Sequence, residues 1–300
     1  ESISFSITTT PTMNPSESFA GIESRQLDER HGTIMNPLIN QHISTTRALQ
    51  LNDSSRTSTL RAAIQYCIDT TGRDAPLLDV SDMGLCAMIA SVLGARKVTS
   101  LESSSGSLPR VAATVAQIGN GLPPSNAGFQ IIQAQTEHLL SEHILGGAAE
   151  IVVAEPYYEM LEGWHLQEAL NYCYTVCSLK KRGVVSSTAL SVPAYANVMV
   201  CVVECDQFCT AYGHVGSSTT NIVAGFKHST VNHFGNRYHE YDVSLPLWQY
   251  RYKPLSKPTC VARIPYEGTN PTIESTGGAS EITATGHAQA VVIWVDYACR

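Results

Sequence analysis

The sequence predicts an α/β fold in two parts. A parallel sheet with helices on both faces is expected over residues 53–183, and an all-β unit over residues 184–300. Three observations predict it. From residue 53, short apolar runs alternate with stretches of helical periodicity, the pattern of strands joined by crossover helices. From residue 184 the helical periodicity stops, and apolar strands are separated by chain rich in Pro, Gly, Ser and Asn. The chain has 300 residues, 43% hydrophobic and 15% charged, which suits one large domain or two modest ones with a sizeable core.

Residues 1–22, "ESISFSITTTPTMNPSESFAGI", alternate apolar and polar side chains and then turn through Pro and Asn. They predict the tail of a preceding β unit. Residues 23–52 are polar and mixed, and predict a connector or a helical arm. "NDSSRTSTLRAAIQYCID" then offers capping residues followed by Leu60, Ala63, Ile64, Cys67 and Ile68 at helical spacing. "PLLDV" predicts a strand and residues 84–95 a helix. "RKVTSLE" predicts a strand ending at Glu102, and "GSLPRVAATVAQIG" a helix. "FQIIQAQ" and "AEIVVAE" predict strands, the latter ending at Glu155. Residues 158–181 predict a helix with Leu161, His165, Ala169, Tyr172, Val176 and Leu179 on one face. It closes on "KKR" ahead of Gly183, with cations at the negative pole and glycine just beyond. In the second unit "GVVSSTALSV", "NVMVCVVEC", "TCVARIPY" and "AQAVVIWVDYA" predict strands, with at most a short helix near 241–250. The last of these strands reaches almost to Arg300, so the second unit is expected to be truncated.

The formal net charge is −7 and the one dense basic run is "KKR", so no nucleic-acid groove is expected. No run of eighteen apolar residues exists, so no membrane span is expected. "ESISFSITTT" lacks the basic-then-apolar pattern of a secretory signal. The nine cysteines include Cys173/Cys177 and Cys201/Cys205/Cys209 but no CxxC pair, which predicts small buried hydrophobes inside a reducing compartment. "HLLSEH", His138 to His143, fits neither zinc-protease spacing and predicts a helix surface.

Ligands of parallel sheets sit beyond the carboxyl ends of the strands. Asp79–Gly84, Glu102 and Glu155 are expected there. An acid after the second strand commonly binds both hydroxyls of a ribose. A glycine turn after the first lets backbone approach an adenosyl group. That arrangement suits S-adenosylmethionine or NAD, although polar strand ends are also ordinary solvated loop residues. The turn "DVSDMG" counts against a working site. Ser81, Asp82 and Met83 stand where small residues are wanted, and Asp82 adds a negative charge near an anionic part of either cofactor. No GxGxxG is supplied over 81–86, which disfavours NAD.

Five stretches carry a family resemblance: "LLDVSDMGLCAMIASVLGARKVTSLESSS", "IVVAEPYY", "GWHLQEAL", "LPLWQYRYKPLSKP" and "HAQAVVIWVDY". From about residue 38 to 300 the chain resembles the second module of the two-module protein arginine N-methyltransferases. The resemblance implies a Rossmann-like S-adenosylmethionine-dependent methyltransferase domain followed by a β-barrel. It implies arginines of proteins such as histones as substrates, a cytoplasmic and nuclear location, and a first module in the same chain as partner. It also implies a degraded site. The family's three-glycine loop is reduced to Gly84, after Asp79. Glu102 matches the cofactor acid. Glu155 matches the first of two glutamates that clamp the substrate guanidinium, and Trp164 stands at the second position, with Glu159 and Glu162 out of register. The family's Thr-His-Trp loop is absent. Aligned on His42, Pro37 and Ile39 stand where a connector zinc site has cysteines, so no metal is expected. The implied role is a catalytically silent partner of the first module, with Trp164 filling the substrate pocket and no cofactor bound by this chain. A module with its own weak activity, resting on Glu102 and Glu155, stays open, as does a structural or protein-binding module derived from an enzyme.

Overall fold

The computed structural model describes residues 45–81, 83–102, 128–155, 165–208, 213, 215–216, 221–234, 247, 250–277 and 279–299. Several expectations lie outside them: the tail over 1–22, most of the connector, the helix over 106–119, Asp82, Leu161, Trp164 and Cys209.

Helix α1 (Thr45–Asn52) is followed by α2 (Ser54–Thr71), with Asp53 between them. Asp53 caps α2: its side chain accepts from the Arg56 amide at 3.0 Å, which satisfies one of the donors every helix start leaves open. The predicted stripe of Leu60, Ala63, Ile64, Cys67 and Ile68 is the buried face. Each fully buried aliphatic side chain of this kind stabilises by about 1.5–3 kcal/mol.

Next come β1 (Leu77–Asp79), α3 (Leu85–Val92), β2 (Val98–Glu102), β3 (Phe129–Gln133), β4 (Ala149–Val153), α4 (His165–Lys181) and β5 (Val185–Val192). The strands form one parallel sheet in the order β3-β2-β1-β4-β5. Its two faces are read from alternating residues. Leu77, Ile151 and Val153 pack under α2 and α3, while Leu78, Leu101 and Val152 pack under α4. Helices therefore cover both faces, as an all-parallel sheet requires.

One boundary moves. "GVVSSTALSV" was expected to open the second unit at 184, yet β5 pairs in parallel with β4. The register jumps between Ala149↔Val185 and Ile151↔Leu190, and Ser187 and Thr188 are exposed there. This bulged edge strand carries polar residues that read as an antiparallel, half-solvated strand. The second unit begins after β5.

It contains β6 (Tyr195–Glu204), the hairpin β7 (Ile222–Val223) and β8 (Phe226–Lys227), helix α5 (Ser229–Phe234), β9 (Lys253–Pro254), β10 (Thr259–Pro265), β11 (Glu274–Ser275) and β12 (Ala290–Ala298). Strands β11-β10-β6-β12 form an antiparallel sheet, with β9 also on β6. Among the described residues this is an open sheet, not a closed barrel. A short helix lies at Ser229–Phe234, and most of the segment 241–250, where one was expected, lies outside the described residues.

The units share a core. Ala169, Tyr172, Cys173, Val176 and Leu179 of α4 pack between Val152 on one side and Ala196, Val198, Ile264 and Tyr266 on the other. Tyr172 meets Tyr266 edge-on, ring centroids 4.6 Å apart. The Tyr172 hydroxyl lies 3.1 Å from Ser191 Oγ and donates to the Val192 carbonyl at 3.2 Å. Buried Lys180 donates to the carbonyls of Ala189 and Tyr266.

"HLLSEH" is not a helix surface. It makes two single 3-10 turns, Thr136–His138 and Ser141–His143. The Arg182 guanidinium takes the carbonyls of Thr136, Glu137 and Leu139, and the Leu140 amide donates to His143 Nδ1 at 3.2 Å. Cys67, Cys86, Cys173, Cys177, Cys201 and Cys205 are buried and not in disulfides. Among the described residues no helix is long and apolar enough to cross a membrane, and no three ligating side chains are placed to hold a metal ion.

Candidate functional site

The strand order reverses at β1, whose neighbours are β2 and β4, and the crevice beyond the carboxyl ends at such a reversal is where ligands of this topology bind. The sequence-predicted acids sit there. Asp79 ends β1, Glu102 ends β2, and Glu155 lies just past β4. None is a solvated loop residue: Asp79 and Glu102 are 0% exposed and Glu155 is 5% exposed.

Each carboxylate is engaged by the fold. Asp79 Oδ1 accepts from the Ser81 amide at 2.9 Å and from the Ser81 hydroxyl. Asp79 Oδ2 accepts from the Ala87 amide at 2.7 Å. Gly84 is the N-cap of α3 and has no side chain to offer, so Asp79 caps that helix from the end of the strand. Burial pushes the Asp79 carboxyl up to about 7; its bonds to Ser81 and Ala87 pull it down, and the Glu155 charge pushes the same way as burial.

Glu102 holds the turn. Its Oε2 accepts from the Met83 amide at 2.9 Å, and its Oε1 is 3.5 Å from Ser100 Oγ. Met83 and Gly84 are successive left-handed residues, with φ of 71° and 59°. Glycine adopts this freely, while a side chain there is strained. Gly84 is also required by space, since a Cβ there would come 2.8 Å from Ser100 Oγ.

Glu155 is paired with Arg56 at 2.9 Å; the glutamate side chain is 0% and the arginine 23% exposed. Sequence reading missed Arg56. The available signal was the Asp53-Ser-Ser-Arg56 cap, which fixes Arg56 in the first turn of α2 with its side chain toward the carboxyl ends of the strands.

No protein-family model matches the chain. Over 255 residues it is 27% identical to protein arginine N-methyltransferase 7 of Danio rerio, covering 83% of this chain and 35% of that one. Against the Gallus gallus protein of the same name it is 25% identical over 250 residues, 83% of this chain and 34% of the other. Its curated homologues are protein arginine N-methyltransferases. The chain spans about a third of the length of these relatives. Among solved structures, the Trypanosoma brucei PRMT1 enzyme-prozyme complex with AdoHcy superposes at TM-score 0.49 and 17% identity, over 73% of this chain and 61% of that chain. PRMT6 with SAH superposes at 0.45 and 18%, over 73% and 65%.

For S-adenosylmethionine, the donor that the sequence resemblance implies, the described acids of the crevice are already engaged. A ribose needs an acid with free oxygens, and Glu102 is fully buried on the Met83 amide. A guanidinium substrate needs an available carboxylate, and Glu155 already holds Arg56.

Proposed function

We propose that this chain is the second methyltransferase-like module of a protein arginine N-methyltransferase, a catalytically silent partner that packs against a first module of the same polypeptide. The whole protein would transfer methyl groups from S-adenosylmethionine to arginines of proteins such as histones, in the cytoplasm and nucleus. The open antiparallel sheet would be part of a β-barrel. The likeness to the arginine methyltransferases supports the family side of this reading. The observation that carries the silence is the internal use of both key carboxylates, Glu102 on Met83 and Glu155 on Arg56. A buried carboxylate already paired with a guanidinium gains nothing by exchanging it for a substrate's, because the same desolvation must be met twice. Trp164 at the second clamp position removes the fork that would hold a planar guanidinium bidentately.

The test is methyl transfer from labelled S-adenosylmethionine to histones by the chain alone and by its Trp164→Glu variant. Neither is expected to transfer label above background. Transfer restored by Trp164→Glu alone would overturn the reading, because Glu102 and Glu155 would then be available after all.

A further inference from the structure

We infer that Cys173 and Cys177 form a two-sulfur site for a soft monovalent cation, Cu(I), on the helix that the two sheets share. This site is independent of the methyl-transfer reading. The two residues stand one turn apart on the same face of α4, and both are buried. Their side chains hydrogen-bond to each other. Cys173 Sγ also donates to the Pro265 carbonyl at 3.6 Å, and Cys177 Sγ to the Gly268 carbonyl at 3.9 Å. The sulfurs therefore face the polar backbone of one loop as well as apolar neighbours. A disulfide does not suit this pair. Residues four apart on a helix have Cβ atoms about 5–6 Å apart, whereas a disulfide holds them at about 3.5–4.5 Å. A bridging ion fits, because two metal–sulfur bonds of about 2.3 Å each span the gap without bending the helix.

Charge selects the ion. Two thiolates around a monovalent ion carry one net negative charge, and a buried charge needs an opposite one close by. Lys180 supplies it. It lies one turn beyond Cys177 on α4, is buried, and donates to the Tyr266 carbonyl of the same loop at 3.3 Å. With a divalent ion the complex is neutral and gains nothing from the lysine. Thiolates favour soft ions, so Cu(I) is the match. The loop is on the surface, with Glu267, Gly268, Asn270 and Thr272 exposed, so an ion reaches the sulfurs when that loop lifts. Binding forms two S–Cu bonds and releases two protons to solvent, with no change of oxidation state. Burial, and then the Cys177 thiol beside it, push the Cys173 thiol up to about 11, so its proton leaves as the metal takes its place.

The probe is Cu(I) itself, added without oxygen in competition with a coloured Cu(I) chelator. The proteins are the unmodified chain, Cys173→Ser, Cys177→Ser, Lys180→Met and Cys201→Ser, with thermal melting of each. The unmodified chain is expected to hold one Cu(I) more than either variant at 173 or 177, with a thiolate-to-copper absorption band that both of them lose. Cys201→Ser removes a buried thiol elsewhere and is expected to bind like the unmodified chain. Lys180→Met keeps both sulfurs and is expected to hold the ion about tenfold or more weakly. If Cys173→Ser does not fold, Cys177→Ser carries the same comparison. Equal uptake by the unmodified chain and a folded serine variant at 173 or 177 would overturn the site, as would no uptake by the unmodified chain. Unchanged affinity in a folded Lys180→Met would overturn the selection of a monovalent ion. Each of these results leaves the silent-module reading standing.

Discussion

Asp79 shows how a residue's chemistry can be set by its structural duty. It lies where a cofactor loop begins, but its two oxygens close the turn and cap α3. In the unfolded chain this carboxyl gives up its proton near 3.8, and in the fold at about 7. Between those values the folded state holds more protons, so the protonated group's contribution is complete below the lower value. It is lost as pH rises through the upper one. Denaturant unfolding at pH 5 and pH 8 should show a loss of stability with rising pH that Asp79→Asn diminishes. Equal losses in the two proteins would contradict this assignment. At this scale the sequence was partly legible. The positions of Asp79, Glu102 and Glu155 followed from strand ends. Their burial did not: beyond the cap that places Arg56, it depends on bonds such as that from the Met83 amide to Glu102, which strand and helix periodicity does not encode.

At the level of elements, helix α2 was read almost completely, since its cap and its apolar stripe are local signals. Ile64 is fully buried against the sheet. Ile64→Ala should cost about 2–5 kcal/mol in denaturant unfolding, whereas Arg61→Ala, on the exposed face, should change stability by less than about 0.5 kcal/mol. Similar effects from both would mean that α2 does not seat on the sheet through this stripe. Strand β5 was misassigned because its membership is set by pairing with β4, and its bulge exposes Ser187 and Thr188. "HLLSEH" was misread for a related reason. The first of its two short turns is held by Arg182, distant in sequence, which no periodicity within the segment could reveal.

Among the described residues, the two larger sheets share helix α4. Helix α4 presents Val176 and Leu179 to a core that draws on both the parallel and the antiparallel sheet. This continuity suits a scaffold, because a surface offered to a neighbouring module is only as rigid as the core beneath it. The same architecture places the crevice at the switch point, where Glu102 accepts from the Met83 amide and Glu155 pairs with Arg56. The fold class was legible because alternating strands and helices encode it. The state of the crevice was not, because it depends on contacts between residues far apart in the chain. The central claim is that this crevice is closed, and the most direct measurement is calorimetric titration of the unmodified chain with S-adenosylhomocysteine, at protein concentrations that would detect a high-micromolar dissociation constant. The account predicts no heat of binding. Clear one-to-one binding would contradict it, and would mean that Glu102 leaves the Met83 amide to take a ribose and that the module carries a working cofactor site.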